Sequence, residues 1–246
     1  MPQFNSQTTR MPNGLTNASP GQTFGSAGMP DPSFAQLYHN DFNTFAAADW
    51  TTTLVGTGTQ ALTDADGGAL LVSNTAGAAD ATYMKLANAG FKLSTGKPLF
   101  FKFAGTLSDL TNTAYFGLVN KAATTAASIT DGVFLTKATS GSGALTLNIR
   151  VSSVATTIAL PTDQAIVAGT PFELGIVVDY LGNVGAYFNP TTGHTSANNL
   201  TGRGPVAALY SPSLPSALLT PAFGLLNASA AARTLSVDFL TAARER

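Results

Sequence analysis

Cysteine is absent from the 246 residues, which excludes disulfide frameworks, thiolate metal sites and thiol nucleophiles. Charge is scarce: Asp, Glu, Lys and Arg make up 10% of the chain, against about 25% in an average soluble domain. With 12 basic and 13 acidic residues the net charge is −1, so no field attracts a phosphate backbone or an anionic bilayer, and nucleic-acid binding is disfavoured. No apolar run approaches the roughly 20 residues that span a bilayer; residues 172–180 come nearest and are broken by Glu173 and Asp179. Residues 1–33 hold no apolar stretch and one basic residue, Arg10, and read as neither a secretory signal nor a transit peptide.

Catalytic residue types are equally sparse. The two histidines, His39 and His194, fall in polar segments and read as surface or packing residues, with no third ligand at a spacing that suits zinc. Glutamate occurs only at Glu173 and Glu245, and Asp41, Asp49, Asp179 and Asp238 border expected strands. Turn closure, or pairing with Lys102 or Arg150, accounts for them better than a glycosidase pair. Nucleophile elbows, phosphate loops and dinucleotide fingerprints are missing. The expectation is a protein that is not an enzyme and needs no cofactor or metal.

What is present is glycine, proline and short β-type runs. Gly and Pro number 24 and 13, and 44% of the chain is hydrophobic, a composition that argues against helical bundles. Residues 1–36 form a polar stretch dotted with apolar side chains that follow no helical or strand period, and read as an extended arm in which Phe4, Leu15, Phe24 and Phe34 contact a neighbouring subunit or surface. Residues 37–246 form the second unit, a single β-sandwich domain. Strands are expected at 50–55, 69–73, 98–104, 114–119, 132–137, 144–151 and 156–160, at 172–180 and 184–188 as a hairpin, and at 222–227 and 234–240, ahead of a charged tail, 244–246. The fold class is all-β, an antiparallel jelly-roll-like sandwich.

Two further features carry ligand readings. Asp64-Ala65-Asp66-Gly67-Gly68 places paired carboxylates before glycine, but the remaining ligands of a calcium loop are missing, and a tight turn explains it. Trp50, Tyr83, Tyr115, Tyr180, Tyr187 and Tyr210 are candidates for a sugar-stacking platform, with core packing as the plainer explanation.

Asn40-Asp41-Phe42-Asn43-Thr44-Phe45 with Asp49-Trp50, Asp66-Gly67-Gly68-Ala69-Leu70-Leu71, Pro98-Leu99-Phe100-Phe101 leading to Phe116-Gly117-Leu118, the 172–188 hairpin and Ala231-Ala232-Arg233-Thr234-Leu235-Ser236-Val237-Asp238-Phe239 together resemble head decoration (cement) proteins of tailed bacteriophages. The likeness spans about residues 40–246, and its motifs mostly encode a jelly-roll or concanavalin-like sandwich. It implies a virion protein made in the bacterial host cytoplasm that binds the major capsid protein on the outer capsid surface. Such a protein is commonly a homotrimer that bridges capsomers and stabilises the shell by mass action. The alternative is a carbohydrate-binding, lectin-like fibre module that contacts a glycan on the bacterial surface. Exposed aromatic rings beside a concave site would favour the lectin; a broad flat base would favour the decoration protein.

Overall fold

The computed structural model describes residues 35–63, 68–88, 90–121, 123, 125–137, 141–190 and 205–246. The four arm residues Phe4, Leu15, Phe24 and Phe34, together with His194 and the aspartates 64 and 66, lie outside the described residues.

Two antiparallel sheets face each other. The seven-stranded sheet runs β10 (Val154–Ala159), β9 (Leu145–Val151), β8 (Gly132–Lys137), β7 (Asn112–Val119), β14 (Thr220–Asn227), β5 (Ala81–Leu86) and β2 (Trp50–Val55). The eight-stranded sheet runs β13 (Ala207–Leu209), β12 (Val184–Pro190), β11 (Pro171–Val178), β6 (Leu99–Leu107), β15 (Arg233–Glu245), β4 (Ala69–Asn74) and β3 (Gly58–Thr63), with β1 (Ala35–Asn40) paired to the second half of β15. This is the expected jelly-roll-like sandwich.

Alternation sets which side chains enter the core. In β9, Leu145, Leu147 and Ile149 are buried while Thr146, Asn148 and Arg150 point away from the opposite sheet. The centre is aromatic: the Phe103 ring of β6 lies 4.6 Å from Phe116 of β7, 5.8 Å from Phe223 of β14 and 6.2 Å from Phe172 of β11, so one side chain ties the sheets together. Trp50 stacks on Phe42 at 6.1 Å and meets Phe223 at 5.4 Å, a core residue as the packing reading had it. At the ends of β4 and β14, Asn74 and Asn227 are buried and tie these strands to the 75–80 turn through side-chain amide bonds.

Several expectations need correction. β1 includes Ala35 and Gln36, two residues assigned to the arm, and β1, β3, β5 and β13 are additional strands. Residues 244–245 are no free tail: β15 continues to Glu245 because its last residues bond to β6 on one side and β1 on the other. Lys102 pairs with Glu173 at 3.0 Å rather than with an aspartate, and Arg150 is held by backbone carbonyls.

Candidate functional site

The outer face of the seven-stranded sheet carries a second, smaller apolar cluster of Tyr83, Tyr115, Val119, Phe134 and Ala222. Ala123 and Ile129, from the β7–β8 connection, close over it. Tyr83 and Tyr115 stack at 5.6 Å with an interplanar angle of 15°. They lie flat on β14 because position 224 is glycine: a Cβ there would stand 2.2 Å from Tyr83 Cδ1 and 2.6 Å from Tyr115 Cε1. Burial pushes the Tyr83 phenol up to about 12 and the Tyr115 phenol further in the same direction. The Tyr115 hydroxyl is aimed at the Ala123 backbone without closing a bond of normal geometry.

Arg150 fastens this roof. Its Nη1 donates to the carbonyls of Ala126 at 3.0 Å and Ile129 at 3.1 Å, and also to that of Ala127. The roof itself ends in a short 3-10 turn, Ala126–Ser128, closed by reciprocal Thr125 and Ser128 bonds.

Beside the roof lies a cleft of about 350 Å³. Thr113, Thr136 and Asn148, from three adjacent strands, line one part of it, and Ala126, Ala127 and Ala155 another. Asn148 Nδ2 donates to Thr136 Oγ1 at 2.9 Å and to the Thr146 carbonyl at 2.8 Å, which orients its Oδ1. Thr113 Oγ1 is buried without a hydrogen-bond partner.

Both cations at the cleft bond backbone carbonyls: Arg150 through Nη1 to the roof, its Nε remaining buried and unpartnered, and Lys137 to the carbonyls of Leu110 and, at 2.6 Å, Asn112. Burial pushes the Lys137 amine down to about 8, with Asp109 pulling weakly the other way. Asp109 is itself held below the usual carboxylate range by Thr111 bonds and the nearby Arg233 at 3.2 Å. Between about pH 8 and 10 the unfolded chain therefore keeps a proton that the fold has released, and stability rises with pH. Below pH 8 the cost of the buried cation is fully present; above about pH 10 ionising tyrosines of the unfolded chain reverse the trend. Thermal melts should show a higher Tm at pH 9.5 than at pH 7.5, and Lys137→Met should flatten that rise.

The aromatic residues divide. Trp50, Tyr83, Tyr115 and Tyr187 are buried, whereas Tyr180 and Tyr210 are 64% and 80% exposed. These two sit on loops joined by Asn183, which donates to Asp179 Oδ2 at 2.7 Å and accepts from the Ser211 amide at 2.9 Å. Asp179 thus has the turn role expected from sequence, as does Asp41, which accepts from the Asn43 side chain at 2.7 Å.

On the other sheet, Glu173 and Asp238 share the outer face with Lys102, whose Nζ lies 4.9 Å from the Phe239 ring centroid. Asp238 marks the register shift in β15, and burial, then the Glu173 and Asp41 charges, raise its pKa. His39 bonds Thr241 Oγ1 at 2.7 Å on this face. Among the described residues no three His, Asp or Glu side chains gather as metal ligands, and no helix is long and apolar enough to cross a membrane.

No protein-family model matches the chain, and no curated protein matches it in sequence. In three dimensions it is similar to the endo-1,3-beta-glucanase of Streptomyces sioyaensis, with a TM-score of 0.57 and 9% identity over 87% of this chain and 98% of that one. Peanut lectin aligns with a TM-score of 0.56 and 8% identity over 85% and 97% of the two chains. The Emp47p carbohydrate recognition domain aligns with a TM-score of 0.53 and 10% identity over 87% and 98%. At such identities the likeness concerns the fold, which hosts binding proteins and enzymes alike. The chain has the jelly-roll β-sandwich of lectins and glucanases.

Proposed function

We propose that the protein binds carbohydrate, in the cleft beside the Arg150-fastened roof. The observation that carries this reading is which groups the cleft leaves open. Arg150 Nη1 and the Lys137 amine bond backbone carbonyls, while Thr113 Oγ1, Arg150 Nε and Asn148 Oδ1 have no hydrogen-bond partner among the described residues. A hydroxyl, an amide oxygen and a single N–H together suit the hydroxyls of a neutral sugar, which donate and accept, better than a carboxylate or phosphate, which only accepts and would leave the amide oxygen unmet. The carbohydrate-binding neighbours of the fold support the same reading.

The shell-binding reading has a different observation on its side. The outer face of the eight-stranded sheet leaves Phe100, Val177 and Phe239 half-exposed around the Lys102–Glu173 pair, apolar side chains that docking against a shell would cover.

The experiment is a screen of the full chain against neutral and acidic oligosaccharides, followed by titration calorimetry. A neutral glycan should bind, and Asn148→Ala and Thr113→Val should each weaken it about tenfold, the loss of roughly one hydrogen bond. Loss confined to Tyr180→Ala and Tyr210→Ala would move the site to the loop end. Retention on phage capsid shells with no glycan retained would overturn the proposal in favour of shell binding.

A further inference from the structure

The two edges of the seven-stranded sheet differ. β2 begins at the buried Trp50 and keeps part of its length covered, whereas β10 is exposed at five of its six positions, with Ile158 alone half-buried. Natural edge strands are guarded by lysine, proline, a bulge or a covering loop, because a bare row of amides and carbonyls invites another strand. Val-Ala-Thr-Thr-Ile-Ala carries none of those residues, and its pairing with β9 is regular along its whole length.

The register shows which backbone groups are free. β9 and β10 are joined by a two-residue turn, Ser152 and Ser153, both at positive φ (49° and 73°), the hairpin type in which the flanking pair exchanges both hydrogen bonds. Val151 and Val154 are that pair, so Val154, Thr156 and Ile158 bond inward to β9. The amides and carbonyls of Ala155, Thr157 and Ala159 point away from the sheet.

We infer that β10 pairs antiparallel with β10 of a second copy of this chain, about a two-fold axis through Thr157. The free groups are symmetric about that residue: Thr157 meets its own counterpart, and Ala155 meets Ala159 in both directions. Each residue exchanges two bonds with its mate, giving about six backbone hydrogen bonds. The threonines at the axis form a favourable cross-strand pair, and the alanines on either side bring no bulk against one another. Because the strand is uncharged, the two-fold places no like charges together, the usual obstacle to self-pairing. The two seven-stranded sheets become one continuous sheet, and the pairing is isologous and closes on itself. Thr157 shares the outer face with Asn148, and Ala155 lines the cleft, so the joined sheet carries both clefts on one surface. The dimer does not depend on what the clefts bind.

Sedimentation equilibrium of the full chain at about 100 µM, well above a Kd of about 10 µM or tighter, tests this. The expected mass is twice the 25.1 kDa of the chain. Thr157→Pro removes an outward amide and leaves the β9 pairing intact, and Thr157→Lys adds an edge guard. Both should sediment as monomers with unchanged far-ultraviolet circular dichroism. A monomeric wild type overturns the inference, as does a trimer of the kind implied by the decoration-protein resemblance, or a dimer that survives both substitutions.

Discussion

Phe103→Ala should lower the free energy of unfolding by about 4 kcal/mol, the upper part of the range for a large side chain deleted from a packed core. Phe103 is fully buried and touches rings from both sheets, with Phe116 at 4.6 Å and Phe223 at 5.8 Å on the far side and Phe172 at 6.2 Å on its own. Three stiff neighbours cannot collapse into the space, so the cavity term adds nearly in full to the lost transfer energy. Set against a typical total of about 5–15 kcal/mol, this removes a large fraction of the stability. Urea unfolding followed through Trp50, the chain's one tryptophan, measures it. Phe103→Leu, which refills most of the volume, should cost less than half as much; equal losses for the two variants would contradict the cavity account.

Asn227→Ala is expected to cost about 3 kcal/mol by a different route, the exposure of unmet acceptors. The Asn227 amide donates to the carbonyls of Thr75 at 2.6 Å, Ala231 at 3.0 Å and Gly77 at 3.4 Å, and its oxygen accepts from Asn74 at 3.3 Å. Asn74 in turn donates to Asp80 and Leu225 carbonyls, each at 3.1 Å, and accepts from Thr82 at 2.8 Å. Both asparagines are almost fully buried, so truncating one strands carbonyls that water does not reach. The two act as a unit, and the Asn74→Ala, Asn227→Ala double variant should lose clearly less than the sum of the single losses in the same urea assay. Simple additivity would mean that the two side chains stabilise separate turns.

Where alternation and turn residues agreed, the strands were legible from sequence. Trp50–Val55 and Gly132–Lys137 have the expected limits, and the hairpin around Gly182 is β11 and β12. The missed strands lack that agreement. β5, Ala-Thr-Tyr-Met-Lys-Leu, is buried on both faces, so nothing alternates. β3, Gly-Thr-Gln-Ala-Leu-Thr, and β1, Ala-Gln-Leu-Tyr-His-Asn, are edge or near-edge strands whose polar residues read as loop. The end of β15 was hidden by two charges that leave the pairing intact: Glu245 is exposed, and Arg244, on the face of Leu240 and Ala242, reaches Ser94 Oγ at 3.0 Å.

The cleft was not legible at all, because Thr113, Thr136 and Asn148 come from strands whose adjacency is a matter of topology. One local signal existed. Leu145-Thr146-Leu147-Asn148-Ile149-Arg150 alternates without a break and puts Asn148 and Arg150 on a single polar face. Which candidate aromatics would be core and which open was not legible for a related reason: tyrosine on a strand gives no sign of whether another segment will lie over it, and the β7–β8 connection covers Tyr115 while Tyr180 and Tyr210 stay exposed.

Ala35 faces Glu245 across the β1–β15 ladder, so the backbone enters and leaves the sandwich about 5 Å apart, the spacing of opposed residues in an antiparallel pair. A body whose doorway is that narrow behaves as a cassette. Spliced into a surface loop of a host protein, it would hang from one point without prising the loop's ends apart.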